Sequence, residues 1–187
     1  MTKTYDLTTG SLAKHFMRLA VPAAIGMVFS TLYNVVDVFF AGMIGTDAQA
    51  GLAISFQAFF IFVTIGFGLS AAMTALVGNA IGAKKTTDAS IIAAQGIGFS
   101  IVTSVLLIVA ARYIGPHLLA IISTEGAYRT AGEAYFMILI LSLPGFIMGY
   151  GLNGILQAQG DTVSMQYALI GAFFANIGLN PLMMFGI

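Results

Sequence analysis

Long apolar segments separated by short polar connections make up the pattern of this chain. A helix that crosses the roughly 30 Å hydrocarbon core of a bilayer needs about 20 predominantly apolar residues. Five segments exceed that length, so the pattern predicts five tilted membrane-spanning helices at approximately 16–44, 51–81, 91–114, 134–156 and 163–187. After the third, the stretch "HLLAII" suggests a short separate helix at the membrane surface.

Composition strengthens the membrane assignment and excludes several function classes. Hydrophobic residues make up 59% of the chain and charged residues 7%, whereas soluble domains carry about 25% charged residues. We therefore predict an all-α integral membrane protein. The absence of cysteine excludes disulfides and thiolate chemistry, and no glycine-rich segment completes a nucleotide-binding motif. We expect no enzymatic activity and no cofactor; seven basic and seven acidic residues give no reason to expect a nucleic-acid partner.

Lysine and arginine predict the orientation, because the cytoplasmic loops of membrane proteins carry an excess of these residues. With the N-terminus in the cytoplasm, five of them lie on that side and two on the other: Lys3, Lys14, Arg18, Lys84 and Lys85 against Arg112 and Arg129. We expect a multi-pass protein of the plasma membrane, the cytoplasmic or inner membrane of a bacterium or archaeon, with its N-terminus cytoplasmic.

The stretch "YNVVDVFFAG" places Asp37 inside the first apolar segment. A charged aspartate near the centre of a spanning helix costs about 2.5–3.5 kcal/mol on insertion scales, and such residues are functional candidates by default. At about 1.5 Å per residue, Asp37 lies roughly 28 Å beyond Arg18, in the outer half of the helix. Tyr33 and Asn34 precede it by four and three residues and so share its face.

The fifth segment supplies a candidate partner for this aspartate in "NIGLNP", where Asn176 and Asn180 are four residues apart. Pro181 follows and has no N–H, which leaves the carbonyl of Ile177 without its usual helical partner. Asn180 lies roughly 26 Å beyond Val163, so we expect it at a depth similar to that of Asp37. Carboxylate and amide oxygens suit a hard cation such as Na⁺, and a desolvated carboxylate can also hold a proton. Alternatively, these polar groups only hold helices together.

Other polar and small residues carry weaker predictions. Tyr33, Asn34 and Gln57 are candidates for lining a cleft. The GxxxG spacings Gly78/Gly82 and Gly145/Gly149 predict close helix packing inside one bundle.

Two motifs give the chain a family resemblance. The first two spans, from "AVPAAIGMVFSTLYNVVDVFFAG" to "GNAIGAKK", resemble the start of the multidrug and toxic compound extrusion (MATE) family. "LQAQGDT" and "NIGLNPLMMFG" resemble that family's fourth loop and fifth helix. The resemblance covers essentially the whole chain, and VDxxFAG followed by NxxLxP is a fairly specific combination.

The resemblance implies a cation-coupled exporter of the MOP flippase superfamily, with two six-helix lobes related by pseudo-symmetry around a central cleft. Residues 1–187 would form most of the N-terminal lobe, without its sixth helix and without the second lobe. Asp37 matches the first-helix carboxylate of the family's cation-coupling site and Asn176 its fifth-helix asparagine. Asn180 stands where the family commonly has aspartate, so the candidate Na⁺ or H⁺ site has one carboxylate rather than two.

The resemblance therefore predicts multidrug efflux by Na⁺ or H⁺ antiport, with organic and mainly cationic drugs or toxic compounds as the transported xenobiotics. Its expected partners are these small substrates, the lipid bilayer and the remaining helices of the same transporter. One alternative is a lipid-linked precursor flippase, but such proteins place cations in the cavity and the predicted spans hold none away from their ends. Another is a truncated lobe that does not transport and only packs with a partner.

Overall fold

The computed structural model describes residues 11–186, in which the regular elements are helices. They are α1 (Leu12–Ile44), α2 (Thr46–Gly82), α3 (Thr86–Ile122), α4 (Ala127–Leu139), α5 (Leu143–Ala158) and α6 (Ser164–Phe185), with a 3₁₀ turn at Ile140–Ser142. Five stretches are long and apolar enough to cross a membrane, which confirms the predicted all-α class and number of spans: Ala20–Ile44, Thr46–Gly82, Thr86–Ile122, Ala127–Ala158 and Ser164–Met184. Lys3 and the side chains of Lys14 and Arg18, which entered the orientation argument, lie outside the described residues.

Helix α3 continues without a break through "HLLAII", so the prediction of a separate surface helix was wrong. Pro116 removes one backbone N–H from this part of α3, yet the helix is held by packing. Leu119 is fully buried. The ring of Phe136 on α4 lies directly against Gly115, where a larger residue would collide with it. Burial of this end of α3 against α4 thus outweighs the missing hydrogen bond.

The fourth span is interrupted by a 3₁₀ turn where α4 meets α5. Pro144 has no N–H to donate to the carbonyl of Ile140, its usual partner one turn earlier. The N–H of Leu143 donates to that carbonyl instead, which tightens the chain into the 3₁₀ turn. Ile140 and Leu143 are both buried. The proline therefore favours a 3₁₀ turn whose apolar side chains face the core.

The helices form two compact units, one containing α1 and α6 and the other made of Ile44–Ala158. In the second unit, α2 contacts each of α3, α4 and α5. Its core is built largely from aromatic and branched aliphatic side chains, including Phe59, Phe62, Leu119, Phe136, Ile140, Leu143 and Ile147. Inside a membrane such contacts stabilise the bundle by van der Waals packing rather than by exclusion of water.

Small residues bring α2 against α4 and α5 in this unit. A Cβ added to Gly51 would lie 2.8 Å from the backbone nitrogen of Gly132, which shows how closely the two backbones approach. The buried hydroxyl of Ser55 donates to the carbonyls of Gly51 and Gly132, at 2.6 and 2.8 Å. Glycine at these positions permits the approach and serine ties it with hydrogen bonds.

The GxxxG pairs predicted to mark helix packing do not do so within the described residues. A Cβ added to Gly82, Gly145 or Gly149 would meet no atom within 4 Å, and one added to Gly78 would meet only the Cβ of Ala158, at 3.9 Å. That prediction was wrong, because a spacing of four places two glycines on one helix face but does not choose which face meets a neighbour.

In the first unit, α1 and α6 lie side by side and run in the same direction. Gly26 faces the amide of Gln166. Farther along, the rings of Phe29 and Phe173 meet edge to face with their centroids 5.4 Å apart. The contacts therefore advance together along both helices, which defines a parallel pair.

Candidate cation-binding site

Asp37 meets both asparagines of α6 at the next contact along this parallel pair. The Nδ2 of Asn176 donates to Asp37 Oδ1 at 2.7 Å, and the Nδ2 of Asn180 donates to the same oxygen at 2.9 Å. The two asparagines are joined by a 3.2 Å hydrogen bond from Asn180 Nδ2 to Asn176 Oδ1. Asn176 is buried, with 7% of its surface exposed, and the other two residues are partly buried.

The local sequence places these groups on facing sides of two helices. Asn176 and Asn180 are one turn apart on α6 and project in the same direction. On α1, the neighbours of Asp37 are valine and phenylalanine, which offer the carboxylate no hydrogen bonds. The asparagines therefore supply the donors that a carboxylate at membrane depth requires.

Asp37 and the two asparagines could exchange their mutual hydrogen bonds for a bound cation. Hydrogen bonds to a charged group contribute about 1.5–3 kcal/mol, so the amide donors stabilise ionised Asp37 substantially. Rotating an asparagine amide by half a turn would present its oxygen where its nitrogen now lies. One carboxylate and two amide oxygens would then face a common point, which is a ligand set that a hard cation such as Na⁺ accepts. A proton on Asp37 would instead remove the charge that the amides now stabilise.

Three further residues were predicted to line a cleft or to lie near this site, and they have different surroundings in the structure. The Tyr33 side chain lies near Asp37 and Asn176, beside the cluster. Asn34 donates its amide to the carbonyl of Ser30 at 2.8 Å, within its own helix. Gln57 is an exposed residue of α2 and belongs to the second unit. None of these three is hydrogen-bonded to the asparagine and aspartate set in the described residues.

A polar and aromatic cavity in the second unit was not predicted. It has a volume of about 570 Å³ and is lined from α2 and α5 by Phe67, Ser70, Ala71, Thr74, Ala75, Tyr150, Asn153 and Gln157. Asn153 and Gln157 are four residues apart, the same signal that singled out the α6 asparagines, but the sequence cannot say what such a pair faces. At the edge of this cavity the hydroxyl of Thr74 bridges the carbonyls of Ser70 and Gly154, which joins α2 to α5.

Among the described residues, no three histidine, aspartate or glutamate side chains are clustered as they would be in a transition-metal site. Asp37 is the carboxylate of its cluster, and the other ligands it offers are neutral amides. The chain is thus a multi-pass helical membrane protein with a half-buried carboxylate and amide set between two of its helices.

Comparison with known proteins identifies the family. Residues 22–182 match the sequence profile of MatE, so the chain belongs to the MatE family of transporters. This confirms the resemblance seen in the sequence.

Similar proteins cover this chain almost completely. The chain is 26% identical over 176 residues to the probable multidrug resistance protein NorM of Thermotoga maritima, covering 94% of this chain and 38% of that protein. It is 24% identical over 167 residues to the probable multidrug resistance protein YoeA of Bacillus subtilis, covering 89% and 36%. A MOP superfamily transporter structure from Pyrococcus furiosus has the same fold, with a TM-score of 0.86, 24% identity, and coverage of 97% and 40%. The chain thus spans about two-fifths of the length of these relatives.

Proposed function

We propose that this chain forms the first lobe of a cation-coupled multidrug exporter, with Asp37, Asn176 and Asn180 as the coupling site. The observation that carries the proposal is the pair of hydrogen bonds that both asparagines donate to one oxygen of Asp37. The names of the relatives NorM and YoeA, both probable multidrug resistance proteins, support the export of drugs.

Coupling would work through competition for the carboxylate. A proton or Na⁺ arriving from outside neutralises Asp37 and displaces the charge-assisted bonds from α6. Because those bonds join α1 to α6, cation binding changes the most favourable arrangement of α1. The rearranged α1 then lowers the affinity of the cleft for the drug, which leaves on the outer side. Inward movement of the cation drives the cycle.

The membrane potential sets the scale of the driving force. For an uncharged drug, one cation that moves inward across about 100 mV supplies roughly 2.3 kcal/mol, and since each 1.36 kcal/mol is a factor of ten, this supports about a fifty-fold drug gradient. Accumulation beyond that level requires a chemical gradient of the same cation. A monovalent cationic drug exchanged one for one moves no net charge, so its export depends on the chemical gradient of the coupling cation. Na⁺ and H⁺ both satisfy this requirement.

The size and lining of the cavity between α2 and α5 support the proposal that the substrates are organic and mainly cationic. Its volume of about 570 Å³ falls in the range of small-molecule sites, about 300–1,000 Å³. Phe67 and Tyr150 offer aromatic faces, which attract organic cations, while Asn153 and Gln157 offer amide oxygens. No lysine or arginine is among its lining residues, so it lacks the cations expected for a pyrophosphate-bearing lipid precursor.

We further propose that the transporter acts in the cytoplasmic membrane with its N-terminus inside. The lysines of the "GAKK" turn between α2 and α3 are the strongest support for this orientation within the described residues. A second lobe would complete the cleft. The coverage of about two-fifths of each relative supports such a pairing.

Substitution of Asp37 tests the proposal in the protein as its natural reading frame encodes it. In Asp37→Asn, drug efflux from energised membrane vesicles should fall to the level of vesicles without the protein, because the amide cannot exchange a charge for a cation. The matched control is Asp47→Asn, which makes the same change at an exposed site in the first turn of α2 and should preserve efflux.

Membrane insertion of both variants is checked by quantifying the protein in the membrane fraction. Wild-type efflux by Asp37→Asn would refute the role of Asp37, and the absence of drug efflux by the unsubstituted protein would favour a non-transporting lobe. Efflux from liposomes under an imposed sodium gradient or an imposed pH gradient then distinguishes the two coupling ions.

A further inference from the structure

A surface groove on the second unit carries an arginine that neither the candidate cation site nor the cavity uses. The groove lies between α3 and α4 and has a volume of about 390 Å³. Its lining residues are Ile108, Val109, Arg112, Tyr113, Met137, Ile140 and Leu141. Every one of them except Arg112 is apolar or aromatic.

The charge of Arg112 is not met by a carboxylate in the part of the chain that the structure describes. The ion pairs found there join Lys85 to Asp88 and Arg129 to Glu133. Arg112 instead directs its Nη1 to the sulfur of Met137, at 3.2 Å. A thioether is a weak acceptor, whereas a guanidinium has five N–H donors arranged to match carboxylate or phosphate oxygens.

The position of Arg112 along α3 places this charge at a membrane boundary. Arg112 follows Ile91, where the apolar part of α3 begins, by 21 residues, which is about 31 Å of helix. That distance equals the roughly 30 Å thickness of the hydrocarbon core. The neighbouring Tyr113 is 73% exposed, and tyrosine is enriched at this depth. By this count Arg112 lies at the edge of the hydrocarbon core, from which its long side chain can reach the phosphates of one leaflet.

The apolar part of the groove extends from Arg112 toward the membrane interior. Ile108 and Val109 lie one turn earlier on α3, on the hydrocarbon side of the arginine, and Leu141 faces them from the α4 side with 66% exposure. A phosphate bound at Arg112 would thus have its acyl chain aligned with this apolar surface.

We propose that this groove binds an anionic glycerophospholipid, with the phosphate held by Arg112 and one acyl chain packed along Ile108, Val109 and Leu141. An anionic headgroup neutralises the arginine. A zwitterionic lipid brings its own ammonium group, and the lining contains no carboxylate to receive it. The lipid would fill the surface groove between α3 and the 3₁₀ turn after α4.

Native mass spectrometry tests the proposal by counting lipids bound to the purified full protein during titration with phosphatidylglycerol or phosphatidylcholine. The wild type should bind the first phosphatidylglycerol more tightly than the first phosphatidylcholine. Arg112→Gln should weaken phosphatidylglycerol binding about five- to tenfold, the scale of one lost basic contact to a phosphate. Arg112→Lys keeps the charge and should retain most of the affinity.

Arg129→Gln is the matched control, because Arg129 is a second arginine of this unit whose Nε is paired with Glu133 at 2.9 Å. It should leave phosphatidylglycerol binding unchanged. The proposal is overturned if the wild type binds both lipids equally, or if Arg112→Gln binds phosphatidylglycerol as the wild type does. An equal loss in Arg129→Gln would also overturn it.

A second variant tests the acyl-chain part of the groove without touching the arginine. Leu141→Trp adds bulk to the exposed apolar wall and should weaken phosphatidylglycerol binding several-fold while Arg112 stays in place. Circular dichroism confirms that each variant is folded. Should Arg112→Gln fail to fold, wild-type affinity in Leu141→Trp would overturn the proposal.

Discussion

Replacing Asn180 by aspartate probes the geometry of the cation site. The Nδ2 of Asn180 lies 2.9 Å from Asp37 Oδ1, so Asn180→Asp places a second carboxylate oxygen at about that separation. Two unit charges 2.9 Å apart repel by about 6 kcal/mol at an effective dielectric constant of about 20. Since about 1.4 kcal/mol is a factor of ten, the pair cannot stay doubly charged without a bound cation.

We expect Asn180→Asp to bind Na⁺ about tenfold or more tighter than the wild type at alkaline pH, where protons compete least. At neutral pH, the same variant should take up one additional proton per molecule when sodium is replaced by a large organic cation. Equilibrium binding of radioactive sodium measures the first effect in detergent-solubilised protein. A pH-indicator dye measures the second.

Asn79→Asp is the control, because it makes the same exchange at an exposed position of α2, in the second unit and outside the cluster around Asp37. It should change neither sodium binding nor proton uptake. The geometric argument is refuted if folded Asn180→Asp gains no affinity for Na⁺ and takes up no proton. A gain of equal size in Asn79→Asp would show that an added carboxylate has this effect wherever it lies.

Two further predictions concern stability in detergent. A Cβ on Gly154 would lie 2.9 Å from the Cβ of Met73, so Gly154→Ala should destabilise the second unit by about 1–3 kcal/mol. The control is Gly149→Ala, whose added Cβ meets no atom within 4 Å and should leave the unfolding midpoint unchanged. Equal midpoints for the two variants would contradict the helix packing. Hydrogen bonds from the hydroxyl and N–H of Ser164 hold the pKa of Asp161 below its usual value. The ionised carboxylate therefore stabilises the folded protein above the pKa of an unfolded aspartate, about 3.9, and this contribution is lost as pH falls through the lower pKa of the folded state. The difference in melting temperature between the wild type and Asp161→Asn should therefore stay constant from about pH 8 to pH 5 and shrink below about pH 4, and a difference that grows on acidification would contradict it.

The pairing of Asp37 with the α6 asparagines could be anticipated by counting residues, because the helical rise converts position into depth. The same argument grouped Asn34 with Asp37, but the amide of Asn34 donates to a backbone carbonyl of its own helix instead. Position on a face restricts which groups can meet. It does not decide between a partner in the same helix and one in another, since both satisfy an amide.

The number of spans, the helical class and the family follow from the sequence, because a membrane requires long apolar segments with internally satisfied backbones and the motifs are local. The choice of which small residues pack, Gly51 and Gly132 rather than the GxxxG pairs, appears only in the folded chain. So does the continuation of α3 to Ile122, and so does the cavity that Asn153 and Gln157 line. In an almost uniformly apolar chain, every face of a helix is compatible with lipid. The choice of contact face therefore depends on how neighbouring side chains fit, which no single segment contains.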